Sequence, residues 1–64
     1  MTWELYEVWS VDEDGHEELV DTTKSLKEAR QIAQANLTEY YAECIIYQED
    51  EYGDLQEIER ITGP

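Results

Sequence analysis

One helical segment lies between two stretches whose pattern indicates a β-hairpin, and this order restricts the fold more than any other feature of the chain. Between Ser25 and Tyr41, apolar residues recur every three or four positions, the spacing that places side chains along one face of an α-helix. The stripe consists of Leu26, Ala29, Ala33, Leu37 and Tyr40. Ser25 and Glu28 match a capping box at its start. The pattern predicts a helix over residues 25–41.

Each flanking stretch alternates branched or aromatic residues with polar ones, and each is interrupted by an acidic turn that contains a glycine. The first predicted hairpin covers residues 3–22 and turns at Gly15, and the second covers residues 42–61 and turns at Gly53. A shift of 38 residues superimposes the two glycines and their acidic neighbours. This similarity agrees either with a duplicated hairpin or with convergent turn chemistry.

A helix between two hairpins makes the second and third strands run in the same direction, so a purely antiparallel sheet needs the strand order 2-1-3-4 or 1-2-4-3. The first and third strands are the more apolar, whereas the other two carry glutamates that suit sheet edges. We therefore predict an α+β fold of ββαββ order, in which a four-stranded antiparallel sheet of order 2-1-3-4 carries one helix on one face. The order 1-2-4-3 is the alternative. At 64 residues the chain is expected to form one small domain, 1–64.

Turns of three residues that end in the glycines would set the strand register and decide which side chains meet the helix. Such turns pair Val8 with Val20 and Ile46 with Ile58 across neighbouring strands. The core face predicted in this way consists of Tyr6, Val8, Val20, Cys44, Ile46 and Ile58.

The opposite sheet face, which we call the helix-free face, has no segment left to cover it in so short a chain. Its predicted members are Trp9 and Tyr47 at the centre, with Leu5, Leu19, Ile45 and Trp3 around them. Apolar and aromatic residues at this density are typical of an interface. The competing interpretation is that long glutamate side chains on the same face cover much of the patch. These are Glu7, Glu43, Glu57 and Glu59.

The chain is strongly acidic, with 17 Asp and Glu residues against 4 Lys and Arg and a net charge of −13. Six acids in the two turns are expected to set the charge of a partner. They are Asp12, Glu13, Asp14, Glu49, Asp50 and Glu51. Direct binding of nucleic acid is not expected, because this charge repels phosphates. An alternative function follows from the same charge: the carboxylates imitate nucleic-acid phosphates and occupy a basic groove of a DNA- or RNA-binding protein.

Three of the four basic residues, Lys24, Lys27 and Arg30, lie near the predicted start of the helix. Cations in a first helical turn oppose the helix macrodipole. We expect these side chains to pair with acids of the sheet rather than to form a binding site.

Catalytic and metal chemistry have little support in the sequence. His16 and Cys44 are each the only residue of their type, so neither a zinc site nor a nucleophile with its base can be assembled from them. The acidic turns match a calcium loop only in part, since Ser10 or Gln48 would replace the first aspartate. We expect no enzyme activity, no catalytic residue, no cofactor and no bound metal. Calcium binding at the hairpin loops is a third, weaker hypothesis.

The sequence indicates neither a signal peptide nor a run long enough to span a membrane. A single cysteine, Cys44, within an apolar run fits a reducing compartment. We therefore expect a cytoplasmic protein that does not bind membranes. The favoured function is a non-enzymatic interaction module that uses the helix-free face to bind a protein partner with a basic rim, or a second copy of itself.

Overall fold

Four strands and one helix form the fold, in a computed structural model that describes residues 5–37 and 41–63. The elements are β1 (Leu5–Asp12), β2 (Glu17–Thr23), α1 (Leu26–Asn36), β3 (Tyr41–Glu49) and β4 (Leu55–Thr62). Antiparallel ladders join the strands in the order β2-β1-β3-β4. The predicted ββαββ architecture with strand order 2-1-3-4 is therefore confirmed, and the alternative order 1-2-4-3 is wrong.

Helix α1 begins at the predicted cap. Ser25 Oγ accepts a hydrogen bond from the backbone N–H of Glu28 at 3.3 Å. The N–H of Ser25 is donated to Thr23 Oγ1, also at 3.3 Å, instead of to the glutamate side chain. Only the serine half of the predicted capping box therefore forms, and a second hydroxyl replaces the other half.

Helix α1 ends earlier than predicted, because it stops at Asn36 and Tyr41 is already the first residue of β3. Asn36 Nδ2 donates to the carbonyl oxygen of Ile32 at 2.8 Å, and the Leu37 N–H donates at 3.4 Å to the carbonyl oxygen of Gln34, one of the last four carbonyls of the helix. Leu37 has extended backbone and still packs against the core. Leu37 has the spacing of a helical core residue because it packs against the core as the C-cap residue, and not because the helix extends further. Tyr40 lies outside the described residues.

The core lies between α1 and the sheet face that the helix covers. Its buried members are Tyr6, Val8, Ala29, Ala33, Cys44 and Ile46. Ala29 and Ala33 have no exposed surface, and their small side chains let the helix lie close to the central strands. Cys44 Sγ donates to the carbonyl oxygen of Ala33 at 3.4 Å across this contact. The side of β1 and β3 predicted to meet the helix is therefore the correct one.

A β-bulge in the first hairpin shifts part of the predicted register by one residue. Counted from the turn, the residues of β1 and β2 pair as a three-residue turn predicts as far as Trp9, which faces Leu19. The next residue of β1, Val8, faces Asp21, so that Val20 is the extra residue of the bulge. The predicted pairing of Val8 with Val20 is therefore wrong, although Val20 is partly buried and packs against the core.

The second hairpin carries a bulge at the equivalent position, with a larger effect. Ile46 faces Glu59, and Ile58 is the extra residue. The predicted place of Ile58 in the core is wrong, because it is 40% exposed and Ile61 packs there instead. Since a shift of one residue reverses the direction of the following side chains, Glu59 lies on the helix side rather than on the helix-free face.

The helix accounts for the difference between the two bulges. It packs on β1, β2 and β3. The bulge residue of β2, Val20, therefore meets helix side chains, whereas that of β4, Ile58, lies beyond them. The outer strand β4 is thus the less covered of the two sheet edges.

Both turns end in a glycine with left-handed backbone, with φ of 86° at Gly15 and 83° at Gly53. Each glycine N–H is donated to the carbonyl oxygen of the aspartate three residues before it, Asp12 at 3.0 Å and Asp50 at 3.1 Å. The similarity between the two hairpins therefore extends from sequence to turn geometry and bulge position.

One of the three basic residues of the helical region pairs with the sheet. Arg30 Nε lies 3.0 Å from Glu59 Oε2, an ion pair that exists because the bulge turns this glutamate toward the helix. Among the described residues, no acid lies within ion-pair distance of Lys24 or Lys27, so the expected pairing holds for Arg30 alone.

Within the part of the chain that the structure describes, no helix has the length and apolar character needed to cross a membrane.

Two isoleucines with opposite environments test the core assignment. Replacement of the fully buried side chain in Ile46→Ala is expected to lower the free energy of unfolding by about 2–5 kcal/mol, because it leaves a cavity beneath the helix. The matched change Ile58→Ala should cost less than about 1 kcal/mol, since this side chain is half in water. Urea unfolding followed by circular dichroism measures both.

A small domain has little stability to lose, so Ile46→Val, with an expected cost of about 0.5–1.5 kcal/mol, provides a graded version of the same test. Equal losses for Ile46→Ala and Ile58→Ala would contradict the register described here.

Candidate functional site on the helix-free face

The helix-free face brings together the predicted contact residues that the structure describes. By alternation along the strands these are Leu5, Trp9, Leu19, Ile45 and Tyr47. Trp9 is central among them, because it faces Leu19 on β2 and Ile45 on β3. Trp3 lies outside the described residues.

The aromatic rings of Trp9 and Tyr47 form the middle of this face. Their centroids are 6.3 Å apart and their planes meet at 88°, an edge-to-face arrangement that aromatic quadrupoles favour. Trp9 Nε1 donates to Glu7 Oε1 at 3.0 Å, and Tyr47 Oη donates to Glu17 Oε1 at 3.0 Å. Since the polar end of each ring has a partner within the chain, both rings are held in place on the sheet.

The electrostatic surroundings of Tyr47 keep its hydroxyl protonated. Burial raises the pKa of Tyr47, and the hydrogen bond to Glu17 together with the charges of Glu17 and Glu57 raises it further. Arg60 acts in the opposite direction with a smaller effect. The hydroxyl therefore remains a hydrogen-bond donor at neutral pH.

The part of the face around Ile45 is closed. Ile45 is only 2% exposed, and its cross-strand neighbours are Trp9 and Arg60. Arg60 donates from Nη1 to Glu43 Oε2 at 2.8 Å and from Nη2 to Glu57 Oε1 at 2.7 Å, and these contacts raise the pKa of Arg60. The competing interpretation, that long polar side chains cover apolar surface, thus holds for the β3–β4 side of the patch.

The open part of the face includes two exposed leucines, Leu19 and Leu55, which are 46% and 43% exposed. A pocket of about 280 Å³ lies here and is lined by Trp9, Glu17, Tyr47 and Leu55. We call this pocket the aromatic groove. Leu55 is absent from the predicted site, although the predicted register already places it across from Glu49, on the same face.

The six predicted acidic residues occupy the two turns and the adjoining strand ends. They are Asp12, Glu13, Asp14, Glu49, Asp50 and Glu51. Because β1 and β3 are antiparallel, the turn after β1 and the turn after β3 lie at opposite ends of the sheet. The molecule is 39 Å long in its longest dimension. The acids therefore form two separate clusters and not one acidic surface.

The side chain of Asp12 holds its own turn together. Asp12 Oδ1 accepts hydrogen bonds from the backbone N–H groups of Asp14 and His16, both at 2.9 Å. Asp50 makes the same two kinds of bond in the second turn. Ligand atoms of Asp12, Asp14 and His16 lie within 4.8 Å of one another, but calcium requires 6–8 oxygen ligands and the aspartate already serves the turn. Turn chemistry explains this cluster without a metal.

The single histidine and the single cysteine of the chain, His16 and Cys44, lie in unrelated places. His16 is 82% exposed at the tip of the first hairpin, where Nδ1 lies 3.5 Å from Asp12 Oδ2. Cys44 is fully buried beneath α1, and this burial raises the pKa of its thiol. A protonated and inaccessible thiol is a poor nucleophile.

The pKa of Asp12 supplies a test of the turn. Hydrogen bonding from the His16 backbone lowers this pKa below its ordinary 3.8, against the opposing effect of desolvation. A carboxyl with a lowered folded-state pKa stabilises the fold above its unfolded-state value, and this contribution is lost as the pH falls through the folded-state value. We therefore expect Asp12→Asn to lose less stability than the wild type on acidification below about pH 4.

Glu13→Gln, which removes an exposed carboxylate from the same turn, is the charge-matched control and should retain the acid dependence of the wild type. Urea midpoints measured across the acid range, with a carbon-detected NMR titration of the Asp12 carboxyl, provide the data. A titration midpoint at or above the ordinary value would contradict the hydrogen bonding described here.

Comparison of the chain with family models, with curated proteins and with solved structures finds no match. The geometry and charge of the helix-free face are therefore the basis for a functional assignment.

Proposed function

We propose that this protein is a small, acidic, non-enzymatic interaction module that binds a protein partner through the helix-free face. The partner would present an apolar centre to the aromatic groove and basic side chains around it. The observation that carries this proposal is an exposed groove lined by Trp9, Glu17, Tyr47 and Leu55, with a second exposed leucine, Leu19, on the same sheet face.

The border of the groove is acidic. Glu17 lines the groove, and Glu7, Glu49 and Glu57 lie on the same face of the sheet, where Glu57 is paired with Arg60. With a net charge of −13, the whole molecule adds a field that attracts basic partners and speeds their association. An apolar centre supplies affinity, whereas rim charges mainly determine which partner binds and how fast.

The size of the face indicates a weak or transient complex. With strands about 4.8 Å apart and about 3.4 Å per residue, four strands of seven residues present roughly 450 Å². Stable interfaces of standard size bury about 800 Å² on each partner. A partner that contacts this face alone would therefore form a complex of the kind found in transient signalling or regulation.

A second copy of the chain is the less favoured occupant. Two helix-free faces brought together would place the carboxylates of Glu7 and Glu17 against like charges, which is costly. A partner with lysine or arginine at these positions would instead form ion pairs. We therefore propose a different protein as the partner.

The alternative function, imitation of nucleic-acid phosphates, is supported by the net charge of −13 on a molecule 39 Å long. Duplex DNA presents its charges continuously along the axis, about every 1.7 Å. Here the two acidic turns lie at opposite ends of the sheet with the apolar groove between them. This separation favours the interaction module over the mimic.

We also propose that the protein acts in the cytoplasm and catalyses no reaction. The support is chemical: Cys44 is a buried, free thiol, and His16 is an exposed turn residue whose only described side-chain contact is with Asp12. Calcium binding at the hairpin loops has the least support, because Asp12 and Asp50 are each engaged with backbone N–H groups of their own turn.

The interaction proposal predicts that both exposed leucines contribute to partner binding. The double variant Leu19→Ser/Leu55→Ser should weaken the complex by tenfold or more, since partial burial of each leucine contributes about 1 kcal/mol. Ile58→Ser is the matched control, because Ile58 is exposed to a similar extent, 40%, and is neither a predicted contact residue nor part of the groove lining. The measurement is the Kd of a purified partner, captured with the wild-type chain, for all three proteins.

Equal weakening by the control and by the double variant would count against the helix-free face. Titrations at low and high salt separate the two functions, because an apolar-centred complex survives high salt and a phosphate mimic loses affinity steeply. Sedimentation velocity of the wild type and the double variant tests the second-copy alternative; self-association that disappears in the double variant would support it over a separate partner.

A further inference from the structure

We infer that the aromatic groove is a receptor for a single arginine side chain of the partner. This inference rests on the proposed function and adds to it the identity of the anchoring residue. It follows from the way in which the two similar hairpins combine to line the groove.

The two hairpins are related by an approximate two-fold axis through the middle of the β1–β3 ladder, since they share turn geometry and bulge position. Equivalent residues differ by 38 in number, so Trp9 corresponds to Tyr47 and Glu17 corresponds to Leu55. These four residues are the ones that line the groove. The groove therefore straddles the axis and consists of two pairs of equivalent positions.

The two pairs differ in chemistry, and the two ends of the groove are therefore different. The pair at the centre is aromatic on both sides, Trp9 and Tyr47. The outer pair is a carboxylate on one side, Glu17, and an aliphatic side chain on the other, Leu55. An arginine side chain has the matching order of groups, a planar cation followed by an aliphatic stem.

The carboxylate of Glu17 can accept a hydrogen bond from a ligand. Its Oε1 accepts the hydrogen bond from Tyr47 Oη at 3.0 Å, and among the described residues no donor lies within hydrogen-bond distance of Oε2. A guanidinium group donates to such an oxygen through a charge-assisted hydrogen bond and stacks on aromatic rings. Burial raises the pKa of Tyr47, and the charge of Glu17, which raises it further, also favours a cation in the groove.

The volume of the groove sets the size of the ligand. Pockets for drug-sized molecules measure about 300–1,000 Å³. The groove, at about 280 Å³ and open to solvent, suits one long side chain rather than a folded peptide segment or a cofactor. Arginine fits better than lysine, because its flat cation can contact a ring and a carboxylate at the same time.

The test uses N-acetyl-arginine amide and N-acetyl-citrulline amide, which have nearly the same shape and differ in charge. Both are titrated into the full chain at constant ionic strength, with the indole N–H signal of Trp9, assigned through Trp9→Phe, as the NMR readout. We expect a saturable shift with the arginine amide and at least tenfold weaker binding of the citrulline amide, about the effect of one charge-assisted hydrogen bond.

Two neighbouring glutamates provide matched variants. Glu17→Gln removes the charge from the groove and keeps an acceptor for Tyr47, whereas Glu18→Gln removes the same charge from the helix side of β2, where Glu18 faces Ser10. The arginine amide should bind about tenfold more weakly to the first variant and within about twofold of wild type to the second. Equal effects of the two variants, equal binding of the two amides, or no saturable shift would each overturn the inference.

These outcomes are separable from those of the proposed function. If the leucine variant loses partner binding but the arginine amide does not bind, the interaction module stands and the arginine receptor fails. If the arginine amide binds and the leucine variant keeps full affinity for the partner, the groove is a cation site and the proposed partner surface is wrong.

Discussion

The close contact between α1 and the two central strands is the interaction on which the rest of the structure depends. Ala29 and Ala33 are fully buried, and only side chains this small allow the helix to lie directly over Val8 and Ile46. This contact fixes which side of β1 and β3 is covered, and pleating then assigns the alternate residues to the helix-free face. The aromatic groove therefore exists because the helix occupies the other face of the sheet.

Local sequence patterns predicted most of the fold. The errors occur where contacts between distant parts of the chain determine the structure. Apolar periodicity, the serine cap and the two glycine turns gave the element order, and the distribution of apolar and charged residues gave the strand order. The bulges at Val20 and Ile58 have no glycine or proline to mark them, so alternation alone could not reveal the shift in register. The helix end was placed too late because Leu37, a partly buried C-cap residue, has the same spacing as a helical core residue.

The helix-free face was predicted only in part, because the predicted register placed Glu59 there wrongly and the predicted site left out Leu55. The predicted register placed Trp9, Tyr47 and Ile45 together, because these residues alternate with core residues on neighbouring strands. That Ile45 is covered while Leu55 lines an open groove depends on the reach of single side chains, above all the paired contacts that Arg60 makes with glutamates. Such contacts depend on rotamers and cross-strand geometry, which composition and spacing do not encode.

The uneven position of the helix has a consequence for motion. Strands β2 and β4 are both edges of the sheet, but α1 packs on β2 and not to a comparable extent on β4, so the helix protects β4 less against local opening. Amide protons of β4 should therefore exchange with solvent earlier than those of β2 when the native state opens locally. Because Leu55 is the first residue of this strand, one wall of the groove belongs to the sheet edge that the helix covers less, and local opening of β4 would move this wall.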